Sequence, residues 1–144
     1  MHNLFRNCKV VQVSTTVAAG TTDIEPSAVD MAGFDGVAFL FSFGAITSGA
    51  VTSIKAQTST DNSSFADLLG TAQTVADTND DKAFVMDIYQ PLERYIKPVV
   101  DRGTQNAVLN SIFAILYNGR FAPPSHDSSV VGAEYHTAPI RGTA

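Results

Sequence analysis

The chain has 144 residues, 44% of them hydrophobic and 16% charged, and its 14 acidic and 9 basic residues give a net charge of −5. This length fits one domain with an apolar core, and Cys8, the single cysteine, excludes an intrachain disulfide and argues against a cysteine-based zinc site. The basic residues form no run, so we expect no nucleic-acid partner, and the low charged fraction favours either an oligomer or a surface of neutral Thr, Ser and Asn.

The apolar segments are rich in β-branched and aromatic residues, and turn residues interrupt them at short intervals, which is typical of an all-β domain. A first strand is predicted over residues 9–16. A second strand is predicted over residues 36–43, where Phe39, Phe41 and Phe43 share one face. Three aromatic rings on one face indicate a core strand.

The middle of the chain predicts shorter elements. Residues 51–59 have the pattern of a half-exposed strand, and residues 71–76 that of a short edge strand. Between them, residues 64–69 are predicted to form one helical turn that is capped by Ser63 or Ser64.

The last third of the body predicts an antiparallel meander of three strands, Ala83–Tyr89, residues 94–102 and Ala107–Tyr117, which are joined by turns. Pro98 has no backbone N–H to donate, so the middle strand is expected to carry a bulge or to lie at an edge there. The third strand is apolar on both faces and is therefore expected at the centre of a sheet.

The two ends of the chain are predicted to be arms. Residues 119–144 contain three prolines and three glycines and have neither helix nor strand periodicity. The fold class that we expect is an all-β, antiparallel β-sandwich or jelly-roll-like single domain with extended N- and C-terminal arms. Its parts are an N-terminal arm of residues 1–7, a body of residues 8–118 and a C-terminal arm of residues 119–144.

The arms carry a few separated apolar residues that are predicted to anchor them to a partner. An arm of this kind orders when it binds, at an entropic cost that the new contacts must exceed. The predicted anchors are Leu4, Phe5, Val130, Tyr135 and Ile140.

One acidic segment has part of a metal-binding pattern. Asp77, Asn79 and Asp81 have the spacing that opens a calcium loop. Lys82 and Ile88 stand where that motif needs a glycine and a bidentate glutamate. A solvated hairpin loop is therefore predicted, with an ion site as the alternative.

No catalytic pattern stands out. Ser125, His126 and Asp127 are the residue types of a hydrolytic triad, but adjacent side chains diverge in an extended segment. His2 and His136 show no ligand spacing with His126, so all three histidines are predicted to be exposed.

Paired carboxylates would suit a glycosidase, but nothing marks the spacing of the candidates Asp67, Asp87 and Glu93. We predict that the protein is not an enzyme and holds no cofactor or metal.

Two further properties bear on partners and location. Tyr89, Tyr95 and Phe65 are candidates for a sugar-stacking platform, although core packing is the preferred interpretation. The N-terminal segment is not typical of a signal peptide, and no apolar run approaches the roughly 20 residues of a membrane-spanning helix. We expect a soluble protein without a membrane partner.

Three segments carry a family resemblance. They are MAGFDGVAFLF (residues 31–41), TSTDNSSFADLLGTA (residues 58–72) and VMDIYQPLERYIKPVVDRGTQNAV (residues 85–108). These segments resemble a family of small virion structural proteins of tailed bacteriophages, and the resemblance covers about residues 30–120. It implies a head decoration or cement protein that binds the outside of the capsid shell and has no catalytic residues.

The resemblance also implies partners and a location. The partners would be the major capsid protein and copies of the chain itself, in a homotrimer or other cyclic oligomer. The protein would be synthesised in the host cytoplasm and would lie on the capsid exterior of the virion, where repetition over many sites multiplies a modest interface. The alternatives are a head–tail adaptor or tail component, and a virion-borne glycan-binding β-sandwich module.

Overall fold

The fold is given by a computed structural model, which describes residues 3–143. The chain is almost entirely β-structure, with one helical turn, α1 (Leu4–Asn7). In chain order the strands are β1 (Cys8–Ser14), β2 (Val17–Gly20), β3 (Val29–Asp30), β4 (Gly36–Ile46), β5 (Thr52–Ser59), β6 (Ala66–Asp67), β7 (Gln73–Val75), β8 (Ala83–Tyr89), β9 (Tyr95–Arg102) and β10 (Ala107–Tyr117). No helix in the described part of the chain is long and apolar enough to cross a membrane.

The strands form two antiparallel sheets. The first sheet has the order β1-β10-β4-β8, with β2 also paired to β10, and the second has the order β3-β9-β5-β6, with β7 also paired to β5. This is the strand order of a jelly roll, in which the chain crosses repeatedly between the two sheets. The predicted all-β, antiparallel, jelly-roll-like single domain is confirmed.

The core lies between the two sheets. Phe39, Phe41 and Phe43 of β4 are almost fully buried, as the alternation in their segment predicts. Ile54 from β5 and Ile96 from β9 are buried in the same cluster from the other sheet. Each sheet therefore contributes one apolar face to a shared core.

The predicted meander is wrong. Strand β9 lies between β3 and β5 in the second sheet, whereas β8 and β10 flank β4 on opposite sides in the first. The turn after β8 carries the chain across the core to the other sheet instead of back along the same sheet. Turn residues have the same chemistry in both cases, so the local signal does not separate a hairpin from a crossing.

Two details of the predicted strands are correct. Strand β10 is central, since it pairs with β4 on one side and with β1 and β2 on the other. Pro98 pairs with Ala56 of β5, and on its other side it falls between the paired residues Ile96 and Val100. The missing N–H of Pro98 therefore lies at a local edge, as expected.

The predicted helical turn at residues 64–69 is wrong. The carboxylate of Asp61 accepts the backbone N–H groups of Ser63 (2.9 Å) and Ser64 (2.8 Å), which turns the chain sharply. The chain then returns as β6 and pairs with β5, so that Asp67 lies opposite Gln57. These hydrogen bonds hold the pKa of Asp61 far below its ordinary value.

Residues 4–7 of the predicted N-terminal arm are not extended. Residues 4–7 form α1, because the side-chain oxygen of Asn3 accepts the backbone N–H of Arg6 at 3.2 Å and caps the turn. The capped turn leads directly into β1.

A buried arginine links β2, the segment after it and the start of β10 at one end of the sandwich. Arg102 is 7% exposed, and its guanidinium donates to the carbonyl oxygens of Ala18 (2.8 Å), Thr22 (2.6 Å) and Ala107 (2.9 Å). Its backbone N–H donates to the carboxylate of Asp23 at 2.9 Å. One charged side chain thus donates the hydrogen bonds of three carbonyl groups that would otherwise need water as a partner.

Candidate functional site

The C-terminal segment, residues 119–143 of the described chain, contacts the outer edge of β1 through residues 126–129. The N–H of Val10 donates to Nδ1 of His126 at 3.0 Å, and the N–H of Gln12 donates to Oγ of Ser129 at 2.9 Å. The N–H of Asp127 donates to the carbonyl of Val10 at 3.2 Å. The C-terminal segment therefore forms hydrogen bonds with backbone groups at the edge of β1 that would otherwise be free to pair with another chain.

This contact changes the prediction for the C-terminal arm. The arm has no helix or strand, as expected, but residues 126–129 fold back onto their own body and need no partner to do so. His126 is half-buried, so its predicted exposure is wrong. His136 is exposed and lies 3.1 Å from a Glu134 oxygen, and His2 lies outside the described residues.

An apolar groove lies between α1, β1 and the C-terminal segment. Its volume is about 650 Å³. It is lined mainly by Leu4, Phe5, Val10, His126, Val130 and Tyr135. We call it the terminal groove, because residues from both ends of the chain form its walls.

The terminal groove brings together four of the five predicted anchors. Leu4 and Phe5 come from the N-terminal turn, and Val130 and Tyr135 come from the C-terminal segment. Ile140 is not part of the groove and is 95% exposed. The sequence gives no sign that His126 belongs to this site, because its role depends on the distant edge of β1.

Ring contacts hold the two walls of the groove to each other. The rings of Phe5 and His126 meet edge to face, with 5.2 Å between centroids. The guanidinium of Arg6 lies over the ring of Tyr135, 5.6 Å from its centroid. The hydrogen bond that the Tyr135 oxygen accepts from Thr137 is the main cause of a lowered Tyr135 pKa.

The triad residue types do not form a relay. Nδ1 of His126 is bonded to the backbone of Val10, and the Asp127 carboxylate accepts the backbone N–H of Ser129 at 3.0 Å. The groove offers an apolar wall with a few polar groups, which suits the side chain of a partner.

The acidic loop uses its oxygens for internal bonds. Asp77 accepts the N–H of Gly49 at 2.7 Å, and Asn79 accepts the N–H of Ala76 at 2.9 Å. The nearby Asp80 accepts the N–H of Ile46 at 2.6 Å. Across residues 3–143 no three His, Cys, Asp or Glu side chains are grouped so as to hold a metal ion.

The candidate sugar platform is not assembled. Tyr89 belongs to β8 of the first sheet, whereas Tyr95 belongs to β9 of the second. Phe65 precedes β6 of the second sheet, and the ammonium of Lys97 lies 4.4 Å from its ring centroid.

The candidate carboxylates are also separated. Asp67 pairs with Lys55 of the second sheet at 3.2 Å, and Asp87 of the first sheet accepts the hydroxyl of Tyr117 at 2.6 Å. Glu93 lies in the turn between β8 and β9.

The attachment of the C-terminal segment is predicted to depend on pH. Hydrogen bonds from the backbone and hydroxyl of Ser129 hold the pKa of Asp127 below its ordinary value. A lowered carboxyl pKa stabilises the fold at neutral pH, and this contribution is lost as the pH falls below about 4. We expect the amide NMR shifts of Val10 and Gln12 to titrate in that range, and Asp127→Asn to abolish the change. A titration that persists in the variant would assign it to another group.

Comparisons with known proteins give a likeness of fold. No protein-family model matches the chain, and no curated protein matches it in sequence. The crystal structure of the PBSX exported protein XepA is similar, with a TM-score of 0.58 and 13% identity over 94% of this chain. The match covers 46% of XepA, so the chain spans about half of the length of that protein.

Proposed function

We propose that the protein is a non-enzymatic structural protein of a tailed-phage particle, which binds the outside of the capsid shell and stabilises it by bridging capsid subunits. The observation that carries this proposal is the terminal groove, where four anchors from the two ends of the chain meet. An apolar groove that a few polar groups border suits the docking of a partner's side chain.

Two other observations support a phage particle as the setting. Residues 31–41, 58–72 and 85–108 resemble virion structural proteins of tailed phages. The fold is also similar to that of the PBSX exported protein XepA. A shared fold does not fix function, so the choice of the capsid follows from the sequence resemblance.

The proposed mechanism uses the two parts of the C-terminal segment differently. Residues 126–129 are held by β1 and position one wall of the groove. The groove takes an apolar side chain of the major capsid protein, and the exposed Ile140 contacts a neighbouring subunit. One copy thereby links two capsid subunits, and many copies add up to a large stabilisation of the shell.

Val130→Asp tests the groove directly. A carboxylate on the groove wall would have to be desolvated by an apolar partner, so we expect binding to purified capsids to weaken at least tenfold, or by about 1.4 kcal/mol. The measurement is co-sedimentation of the purified chain with capsids that lack it. The matched control is Val131→Asp at the adjacent, fully exposed residue, which does not line the groove. Equal binding by the two variants would rule out the groove as the contact.

Copy number separates the alternatives. A decoration protein occupies hundreds of sites on a capsid lattice, whereas a head–tail adaptor or tail component forms a ring of few copies. Cryo-electron microscopy of intact particles measures this number and its location. Glycan-array binding that is lost when Tyr89 or Tyr95 is changed would instead favour the glycan-binding module.

A further inference from the structure

The edges of the two sheets are not equally protected. The edge of β1 is covered by the C-terminal segment, and the second sheet ends in strands of two or three residues, β3, β6 and β7. Strand β8 is a seven-residue edge strand with the sequence AFVMDIY, and no other strand of the described chain pairs with it on the side away from β4. A long apolar edge without lysine or proline is a template for pairing with another chain.

Hydrogen bonds at both ends of the β4–β8 ladder show which groups of β8 point outward. Phe43 donates to the carbonyl of Lys82 at 3.0 Å, and Gln90 donates to the carbonyl of Asp35 at 2.7 Å. Bonding alternates along an antiparallel pair, so the even-numbered residues of β8 bond to β4. The outward N–H and C=O groups belong to Ala83, Val85, Asp87 and Tyr89.

One side chain confirms this orientation. Nε2 of Gln73 donates to the carbonyl of Val85 at 3.3 Å from the side opposite β4. The contact is exposed and long, so a strand that offers well-aligned N–H groups competes with it readily.

The outer face of the first sheet presents exposed apolar residues up to this edge, where Asp87 is the charged residue of β8. Val85 and Tyr89 are each 59% exposed, and Val85 lies in one cross-strand row with Leu40 and Phe113. Phe113 is 37% exposed although its strand is central. An exposed apolar face that continues to an unpaired edge marks an interaction surface.

The second sheet is different. On its outer face, Lys55 forms ion pairs with Asp67 at 3.2 Å and with Asp101 at 3.5 Å. Only the first sheet therefore presents a surface that is poor in charge, as the centres of interfaces are.

We propose that β8 pairs antiparallel with β8 of a second copy of this chain and joins two first sheets into one continuous sheet. A strand that pairs with itself in this way has a twofold axis, so the assembly closes as a dimer. The proposal does not rest on capsid binding, because the purified chain is sufficient to test it.

Side chains select the register. Pairing centred on Met86 uses the whole of β8 and places Val85 opposite the partner's Asp87. Pairing centred on Asp87 would place two carboxylates opposite each other, which is unfavourable. Pairing centred on Val85 would leave Tyr89 beyond the end of the partner strand. The Met86 register also favours a second copy as the occupant, because the outward N–H and C=O groups of the odd-numbered residues then meet the same groups of the partner strand along the whole of β8.

Charge substitutions at Val85 test both the dimer and its register. Val85→Asp would place a carboxylate opposite the partner's Asp87 at two symmetric positions, and we expect the dimer to weaken at least tenfold. Val85→Lys would place an ammonium there, and we expect a dimer as tight as that of the original chain or tighter. Sedimentation velocity over a dilution series measures both constants. Val85 is exposed, so both variants remove a similar apolar contact.

Two sedimentation results would contradict the proposal. An original chain that sediments as a monomer or as a trimer overturns the proposal, and equal weakening by the two substitutions overturns it as well.

Hydrogen exchange tests the same pairing without any variant. The amides of Val85 and Asp87 should be protected in the concentrated protein and should exchange rapidly after dilution, whereas that of Met86 should stay protected. Rapid exchange of Val85 and Asp87 at every concentration also contradicts the pairing.

Discussion

Replacing Arg102 by alanine is expected to lower the free energy of unfolding by about 3–5 kcal/mol. The guanidinium is buried and donates to the carbonyls of Ala18, Thr22 and Ala107, so its removal leaves three acceptors in a place that water reaches poorly. These carbonyls lie in or beside β2 and at the start of β10, and the loss should loosen that end of the first sheet. Urea unfolding followed by circular dichroism measures the change.

Arg94 is the matched control. It makes two hydrogen bonds of 2.8 Å to Asp30, but its side chain is 56% exposed. Arg94→Ala is therefore expected to cost less than about 1 kcal/mol. If the two variants lost equal stability, burial would not be the reason for the importance of Arg102.

Strand positions follow from the sequence where one face of a strand is buried. The alternation of Phe39, Phe41 and Phe43 is enough to place β4 and its inner face, because a slip of one residue would expose all three rings. The exceptions are short elements such as β2 and β3, whose four and two residues carry too little pattern. Their pairing is decided by the strands they meet.

Strand order does not follow from the sequence. Strand β9 is apolar enough to lie in either sheet, and only the crossing of the core places it between β3 and β5. The prediction of a helical turn at residues 64–69 is wrong for a related reason. The Asp61 turn directs the chain back onto β5, and pairing with a neighbouring strand outweighs a weak local preference.

The terminal groove shows what the sequence contributes to a site. The anchors are apolar residues in polar segments, and the sequence alone shows this. Their assembly depends on the pairing of Cys8 with Tyr117, which makes the two ends of the body leave the sandwich side by side. The bond from Val10 to His126 spans 116 residues, so no local pattern announces it.

Truncation after Arg120 is expected to change both stability and assembly. It removes the hydrogen bonds of His126, Asp127 and Ser129 to β1, and with each worth about 1 kcal/mol we expect a loss of about 1–3 kcal/mol. It also opens a second long edge on the first sheet. A chain with two open edges can pair head to tail without closing, so the proposed dimer should give way to larger assemblies. Sedimentation velocity would show a broad distribution in place of one closed species.

Truncation after Val131 separates edge protection from docking. It keeps residues 126–129 on β1 but removes Tyr135 and Ile140, so stability and sedimentation should match those of the full chain while capsid binding falls. Aggregation by both truncated chains would contradict the assignment of edge protection to residues 126–129. Aggregation by the shorter chain alone would mean that residues 126–129 prevent other chains from pairing with the edge of β1. These residues have no secondary structure of their own, and three hydrogen bonds to β1 are then enough to protect that edge.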